Sequence, residues 1–161
     1  MLDLARFGPE EGPVSLAAIS SRTGLSRAYL EQLASSLRTA RLVRGVCGKQ
    51  GGYQLTRDPS DITVADIIEA AIGPINIVDC LDTPEDCMVA AYCECRLVYA
   101  LINHRISEVL EGFSLADLLD PGRLSHLTKQ VAGFDSFTAS GAVTVAERRA
   151  AATKAKSRPD R

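Results

Sequence analysis

Apolar residues recur at helical spacing through the first third of the chain. Leu16, Ala17 and Ile19 follow Ser15, which predicts a helix capped by that serine and ended at Thr23-Gly24, where glycine permits a positive φ. A second helix follows at once. Ser26 is its expected N-cap, and Leu30, Leu33, Ala34 and Leu37 recur every three or four residues, so one stripe faces a core while Arg27, Glu31, Ser35 and Arg38 face elsewhere. The period then changes: Leu42 to Val46 and Tyr53 to Thr56 read as strands around Cys47-Gly48-Lys49-Gln50-Gly51-Gly52, a loop too rich in glycine to pack. Such a loop projects as a wing.

Beyond the wing, Asp58-Pro59-Ser60 is a turn. Thr63 is expected to cap a helix with Val64, Ile67, Ile68 and Ala71 on one face, stopped by Gly73-Pro74. The longest helix is predicted from Arg96 to Leu110. Its residues Leu97, Val98, Leu101, Ile102, Ile106, Val109 and Leu110, continued by Phe113, form a stripe broad enough to cover both its own domain and a partner helix. That breadth favours a two-fold homodimer over a purely internal core helix. Ser114 to Asp117 has capping-box form and predicts a short last helix ended by Pro121-Gly122. The remainder is rich in Ala, Ser, Thr and Arg without a sustained apolar period, so a disordered basic tail is expected. The fold class that results is mainly α with a small β-hairpin, a winged helix-turn-helix plus a long dimerisation helix. Its parts are a DNA-binding domain at 1–72, a cysteine-rich loop at 73–95, the dimerisation and terminal helices at 96–120, and the tail at 121–161.

With 161 residues, 46% hydrophobic and 24% charged, the composition is that of one ordinary soluble domain with a tail. No apolar run reaches membrane-spanning length, and the N-terminus lacks signal-peptide form, so a cytoplasmic protein is expected. The net charge of -2 conceals a strong segregation. Arg22, Arg27, Arg38, Arg41, Arg44, Lys49 and Arg57 stand against the single acid Glu31, whereas Asp58 to Asp120 holds thirteen acids against Arg96 and Arg105. A basic block carried by the second helix and the wing is what one surface facing phosphates requires. Such a helix enters the major groove of double-stranded DNA and the wing lies along phosphates or the adjacent minor groove. No serine or cysteine stands in recognisable relation to a histidine, so no enzyme is expected.

Cys80, Cys87, Cys93 and Cys95 fall within sixteen residues, at intervals of seven, six and two. Soft thiolates in one loop suit zinc, copper(I) or an iron–sulfur cluster, and periodicity does not choose among them. Paired C-x-x-C knuckles are absent, which makes zinc the weaker reading, and unligated thiols remain an alternative.

Leu25-Ser26-Arg27-Ala28-Tyr29-Leu30-Glu31-Gln32-Leu33, the wing Gly48-Lys49-Gln50-Gly51-Gly52-Tyr53 and Ile62-Thr63-Val64-Ala65-Asp66-Ile67-Ile68 resemble the IscR-type regulators of the Rrf superfamily, dimeric winged-helix transcription factors of bacteria. The resemblance runs nearly to Asp120. It implies that Ser26, Tyr29 and Glu31 contact bases or backbone; Arg27 and Arg38 join them here from charge and helix position. Where the family often carries an arginine before the wing glycines, this chain has Cys47, so any minor-groove contact falls to Lys49 or Gln50. The resemblance further implies an iron–sulfur cluster, 2Fe-2S or 4Fe-4S, on Cys80, Cys87 and Cys93. The IscR branch completes the set with a histidine three residues later, where Arg96 stands and does not ligate. The fourth ligand stays open among Cys95, Glu94 and a residue near the partner's N-terminus, with His104 and His126 read as solvated. The function implied is a transcriptional regulator whose operator affinity follows the state of that cluster. A thiol-redox or electron-transfer protein on a non-DNA-binding winged-helix scaffold is the alternative. The family's first helix is also expected to begin about ten residues earlier, since Leu2-Asp3-Leu4-Ala5 looks like its second half.

Overall fold

A computed structural model describes residues 1–48 and 51–132. Helices α1 (Leu2–Glu11), α2 (Leu16–Thr23) and α3 (Arg27–Thr39) are followed by strands β1 (Val43–Val46) and β2 (Gly52–Leu55), then by α4 (Val64–Ile72), α5 (Cys95–Glu111) and α6 (Pro121–Ala132). The chain is thus mainly helical with one antiparallel hairpin, as its periodicity predicts. Among the described residues no helix is long and apolar enough to cross a membrane. The span Met1–Asp120 forms one compact unit and α6 belongs to another.

Local chemistry sets the helix ends. Ser15 Oγ accepts from Ala18 N at 3.1 Å, and Ser26 Oγ accepts from Tyr29 N at 3.3 Å, each satisfying an amide with no intrahelical partner. Gly24, at φ 76°, closes α2 in the left-handed region and its N–H donates to Ser20 O. The turn into α3 is tightened by Ser20 Oγ, which donates to the Leu25 carbonyl at 2.7 Å. At α4 the predicted cap is a full capping box, with Asp66 N donating to Thr63 Oγ1 and Thr63 N donating to Asp66 Oδ2.

The hairpin pairs Val43 with Leu55 and Val46 with Gly52. On its other side β2 bonds to the α1–α2 connection, where Val14 and Tyr53 exchange both backbone hydrogen bonds at 2.9 Å. Gly52 makes this approach possible, because a Cβ there would lie 2.5 Å from the carbonyl carbon and oxygen of Val14. The root of the wing is therefore fixed to the helical layer on one side and to β1 on the other.

Two adjoining clusters make the core. Leu4, Val14, Ile19, Leu30 and Val43 join α1, α2, α3 and the hairpin; Ala5, Leu42, Ile62 and Leu115 join the hairpin's start to the segment after α5. Ile62 and Leu115 have no exposed surface, and Leu115 N donates to Ile62 O at 2.7 Å while Val64 N donates to Phe113 O at 2.8 Å. The chain leaves the winged domain after α4 and is stitched back into it at 113–116.

On α4 Ala65 is buried and Ile67 and Ala70 pack against the second cluster, while Val64, Ile68 and Ala71 are half-buried. Three sequence expectations need correction. Ser114 and Asp117 do form the expected reciprocal bonds, but residues 115–119 are a series of turns and not a helix. Burying Leu115 against Ile62 draws the backbone out of helical register. Pro121 then begins a helix instead of ending one, at the first-turn position where its missing N–H costs nothing. The unstructured segment expected over 121–161 is accordingly helical over Pro121–Ala132, and the rest of that expectation lies outside the described residues.

Candidate functional site

The outer face of α3 is polar because its apolar positions are spent on the core. Leu30 and Ala34 are buried, while Arg27, Tyr29, Glu31 and Arg38 are exposed. Ser26, Arg27 and Tyr29 cluster at the helix start. Tyr29 keeps 49% of its surface accessible, more than an aromatic needs for packing alone, and Leu25 beside it is also exposed. Arg27 and Glu31 do not stand free, since Arg27 Nε donates to Glu31 Oε1 at 3.1 Å across one helical turn. Their charges cancel locally, and a phosphate or base must compete with the partner side chain to engage either one. Arg38 lies in the last turn, about 16 Å along the axis from Arg27 at 1.5 Å per residue, so it is not part of the cluster at the helix start.

Sequence reasoning counted Arg41 and Arg44 in the basic block without singling out either as a contact residue. Arg41 ends the α3 connection at φ 57°, a left-handed conformation that is uncommon for a side-chain-bearing residue, and its carbonyl accepts from Thr56 Oγ1. Arg44 projects from β1 and donates to Gln54 Oε1, directly opposite on β2, at 3.3 Å. Period-two alternation around buried Val43 was the available signal for Arg44; the Arg41 backbone had none. Lys49 and Gln50, the wing residues expected to contact DNA, lie outside the described residues.

The cysteine loop is built from three short 3-10 turns, Asp79–Leu81, Pro84–Asp86 and Ala90–Tyr92. Cys80 sits in the first, and Cys87 and Cys93 directly follow the second and third. All three are free thiols and partly buried; Cys95 is exposed in the first turn of α5, and Cys47 is exposed at the wing. Among the described residues no three His, Cys, Asp or Glu side chains converge as a set able to hold a metal ion. The loop's turns place the cysteines on one segment without drawing them together.

The loop is tied to α5 by a contact that the sequence did not disclose. Asn103 Oδ1 accepts from Ile77 N at 3.1 Å and its Nδ2 donates to Asn76 Oδ1 at 3.3 Å. An asparagine inside an otherwise apolar helical stripe was the signal. Between loop and helix lies an open cavity of about 820 Å³ lined by Leu81, Tyr92, Cys93, Arg96, Asn103 and His104, among others. Arg96 Nε is enclosed by protein atoms and has no hydrogen-bond partner, the only such enclosed side-chain nitrogen or oxygen among the described residues. Leaving a buried donor unpaired costs about 1–3 kcal/mol, and more for a charged group. His104 Nε2 lies 3.5 Å from Glu108 Oε1, and Arg105 Nη1 donates to Glu108 Oε2 at 2.7 Å, a hydrogen bond that holds Glu108 below the usual carboxylate range.

By residue type alone the loop's soft thiols suit a thiolate-ligated group better than a hard cation, and among the described residues they are not gathered into a set that would hold one.

The Rrf2 family model, described as an iron-dependent transcriptional regulator, matches residues 1–121. The HTH-type transcriptional regulator IscR of Aliivibrio salmonicida is 37% identical over 144 residues, covering 89% of this chain and 84% of its own. Among solved structures, CymR, the global cysteine regulator of B. subtilis, superposes with a TM-score of 0.58 at 41% identity, over 73% of this chain and 84% of that one. IscR of T. potens superposes with a TM-score of 0.58 at 37% identity, over 87% of this chain and 84% of that one.

Proposed function

The chain belongs to the Rrf2 family of DNA-binding transcriptional regulators, and on that footing we propose that an iron–sulfur cluster in its cysteine loop controls its affinity for operator DNA. It is a regulator and not an enzyme. In this reading Cys80, Cys87 and Cys93 hold the cluster, with the fourth position open to Cys95, Glu94 or a residue of a partner subunit. Bound there, the group supplies a redox- and iron-responsive centre. Ser26, Arg27, Tyr29 and Glu31 at the start of α3 read the major groove, and Arg38, Lys49 and Gln50 add backbone and wing contacts. Two copies pair along α5 and present two reading heads.

The observation that carries this reading is the path of the chain. The cysteine loop runs directly into α5 at Cys95, is pinned to that helix by Asn103, and is returned to the winged domain through Leu115. A rearrangement of the loop therefore bears on the helix that sets the spacing of the two heads. The switch needs only a difference in DNA affinity between loop states, about 1.4 kcal/mol for each tenfold.

A second reading has its own observation. The loop thiols are free and accessible without converging, which suits direct thiol oxidation with no metal. Iron, sulfide and zinc counts with an absorption spectrum on anaerobically purified protein separate the two. Stoichiometric iron and sulfide, and operator affinity that differs at least tenfold between loaded and cluster-free protein, are expected. Neither metal nor sulfide, with DNA binding that follows thiol oxidation, would leave the second reading standing.

A further inference from the structure

Six arginines stand from Arg22 to Arg57, and four of them are engaged. Arg22 pairs with Asp3, Arg27 with Glu31 and Arg57 with Asp66, while Arg44 donates to the Gln54 amide oxygen. Arg38 and Arg41 are the two left over. Both are exposed, and among the described residues neither side chain has a hydrogen-bond or ion-pair partner. They are also neighbours, because Arg41 N donates to the Arg38 carbonyl at 3.0 Å across the turn that joins α3 to the wing.

Arg41 keeps this place against its own backbone preference. At φ 57° it is the one side-chain-bearing residue among those described that adopts the left-handed region, just past the end of α3, where glycine carries no steric cost. Gly24 fills such a place after α2. The conformation is imposed from both sides: Leu42 N donates to the Leu37 carbonyl at 2.9 Å, Thr56 N donates to the Leu42 carbonyl at 3.2 Å, and Thr56 Oγ1 donates to the Arg41 carbonyl. Leu42 and Val43, which follow, are buried. The peptide is thus fixed to α3 and to the end of β2, and only the guanidinium is free. A strained backbone that glycine would relieve points to a use for the side chain.

We propose that Arg41, with Arg38 beside it, binds a DNA phosphate at the junction of α3 and the wing, between the contacts that those two elements make. The inference rests on the DNA-binding reading above and is independent of what the cysteine loop holds. A guanidinium stays charged at every relevant pH and its planar fork matches two phosphate oxygens, so an unengaged arginine on a fixed peptide meets a phosphate at little ordering cost. Such a contact carries no sequence information and acts on any duplex. A cation beyond the last turn of α3 also suits the helix dipole, and that role would appear in folding stability and not in DNA affinity.

The test uses the full-length chain and a random-sequence duplex of about 40 base pairs, with affinity read by fluorescence anisotropy across a salt series. Wild type is compared with Arg41→Gly and Arg41→Lys, and all three are also melted without DNA. Arg41→Gly should bind about fivefold more weakly for each subunit engaged, and its log–log salt slope should shrink by about one unit per subunit. It should melt at or above the wild-type temperature, since glycine relieves the left-handed backbone. Arg41→Lys keeps the charge and should retain the wild-type slope. An Arg41→Gly slope equal to that of the wild type would overturn the inference whatever its melting temperature; a lower melting temperature in that case assigns the arginine to capping α3. Equal loss of slope in Arg41→Lys and Arg41→Gly would overturn it as well, since charge would not be what the duplex meets. A wild type with no salt-dependent affinity for the random duplex would instead overturn the DNA-binding reading on which the inference rests.

Discussion

Arg22 Nε lies 2.7 Å from Asp3 Oδ2, joining the last turn of α2 to the first turn of α1, and the same guanidinium sits 4.2 Å from the centroid of the Phe7 ring. Both partners are only partly exposed, at 32% and 18% of the side chain, so water screens them less than a surface pair. The acid at a helix start and the base at a helix end also suit the two helix dipoles. Arg22→Ala should destabilise the fold by about 1 kcal/mol, lowering the melting temperature by about 2–8 °C. Asp3→Asn alone should cost less, because the ring contact survives. A double-mutant cycle read by thermal denaturation checks this; zero coupling between the two positions would show that they act separately.

The Arg27–Glu31 pair makes a prediction of opposite signs for two roles of Glu31. If Glu31 serves to hold Arg27, Glu31→Gln frees a cation, so binding to DNA of any sequence tightens and the log–log salt slope steepens by about one unit. If Glu31 accepts from a base edge, operator binding weakens by about 1–3 kcal/mol while non-specific binding does not. The placement at the start of α3 favours the second for the operator, superimposed on the first for random DNA. Fluorescence anisotropy with both duplexes across a salt series measures each term.

What was legible in the sequence was local. Ser15, Ser26 and Thr63 cap the helices they were expected to cap, and Gly24 stops α2, because capping needs only a side-chain oxygen and an amide three residues away. The hairpin is likewise encoded by alternation and glycine, though its ends differ by a residue. What failed depended on distant partners. Ser114 carries every local sign of a helix start, but Ile62, more than fifty residues earlier in the chain, claims Leu115 for the core. At the site, residue types and spacing pointed to α3 and to the cysteines, and the four-residue spacing of Arg27 and Glu31 on one helix already carried their pairing, whereas the Asn103 tie and the enclosed Arg96 Nε arise only when the loop packs on α5.

Acid should destabilise the fold in a definite window. Hydrogen bonds from Ser60, first from its hydroxyl and then from its backbone N–H, hold the Asp58 carboxyl below its ordinary value, and Arg105 does the same for Glu108. A carboxylate whose folded value is lowered contributes its full stability above the unfolded value, about pH 4, and loses it as pH falls through the lower folded value. The melting temperature should therefore be flat in these terms from neutrality to about pH 5 and fall below that. Both groups are fully solvated, so each effect is small. Asp58→Asn and Glu108→Gln should each flatten the acid limb relative to wild type; limbs of identical slope would remove these two carboxylates from the account.

The last prediction concerns α5. Leu97, Val98, Leu101, Ile102 and Val109 are all substantially exposed on this helix, and none of its residues is fully buried, so its apolar stripe is not consumed by its own subunit. Its inward side is given over to the Asn103 contact and to packing on α4. A contiguous apolar face of this kind suits an association surface, and under the proposed two-fold pairing a second copy of the same helix is its partner. Leu101→Glu places a charge in the middle of that face without touching the described core. The variant should keep its helical circular dichroism and melt as a monomer, with sedimentation shifting from the dimer to the single-chain mass. Operator affinity should fall with it, since one reading head engages one half-site, and the salt slope should drop from about -5, for roughly six phosphates, to about half that value. A Leu101→Glu chain that sediments as the wild type does, with the same salt slope, would place the dimer contact elsewhere on the molecule.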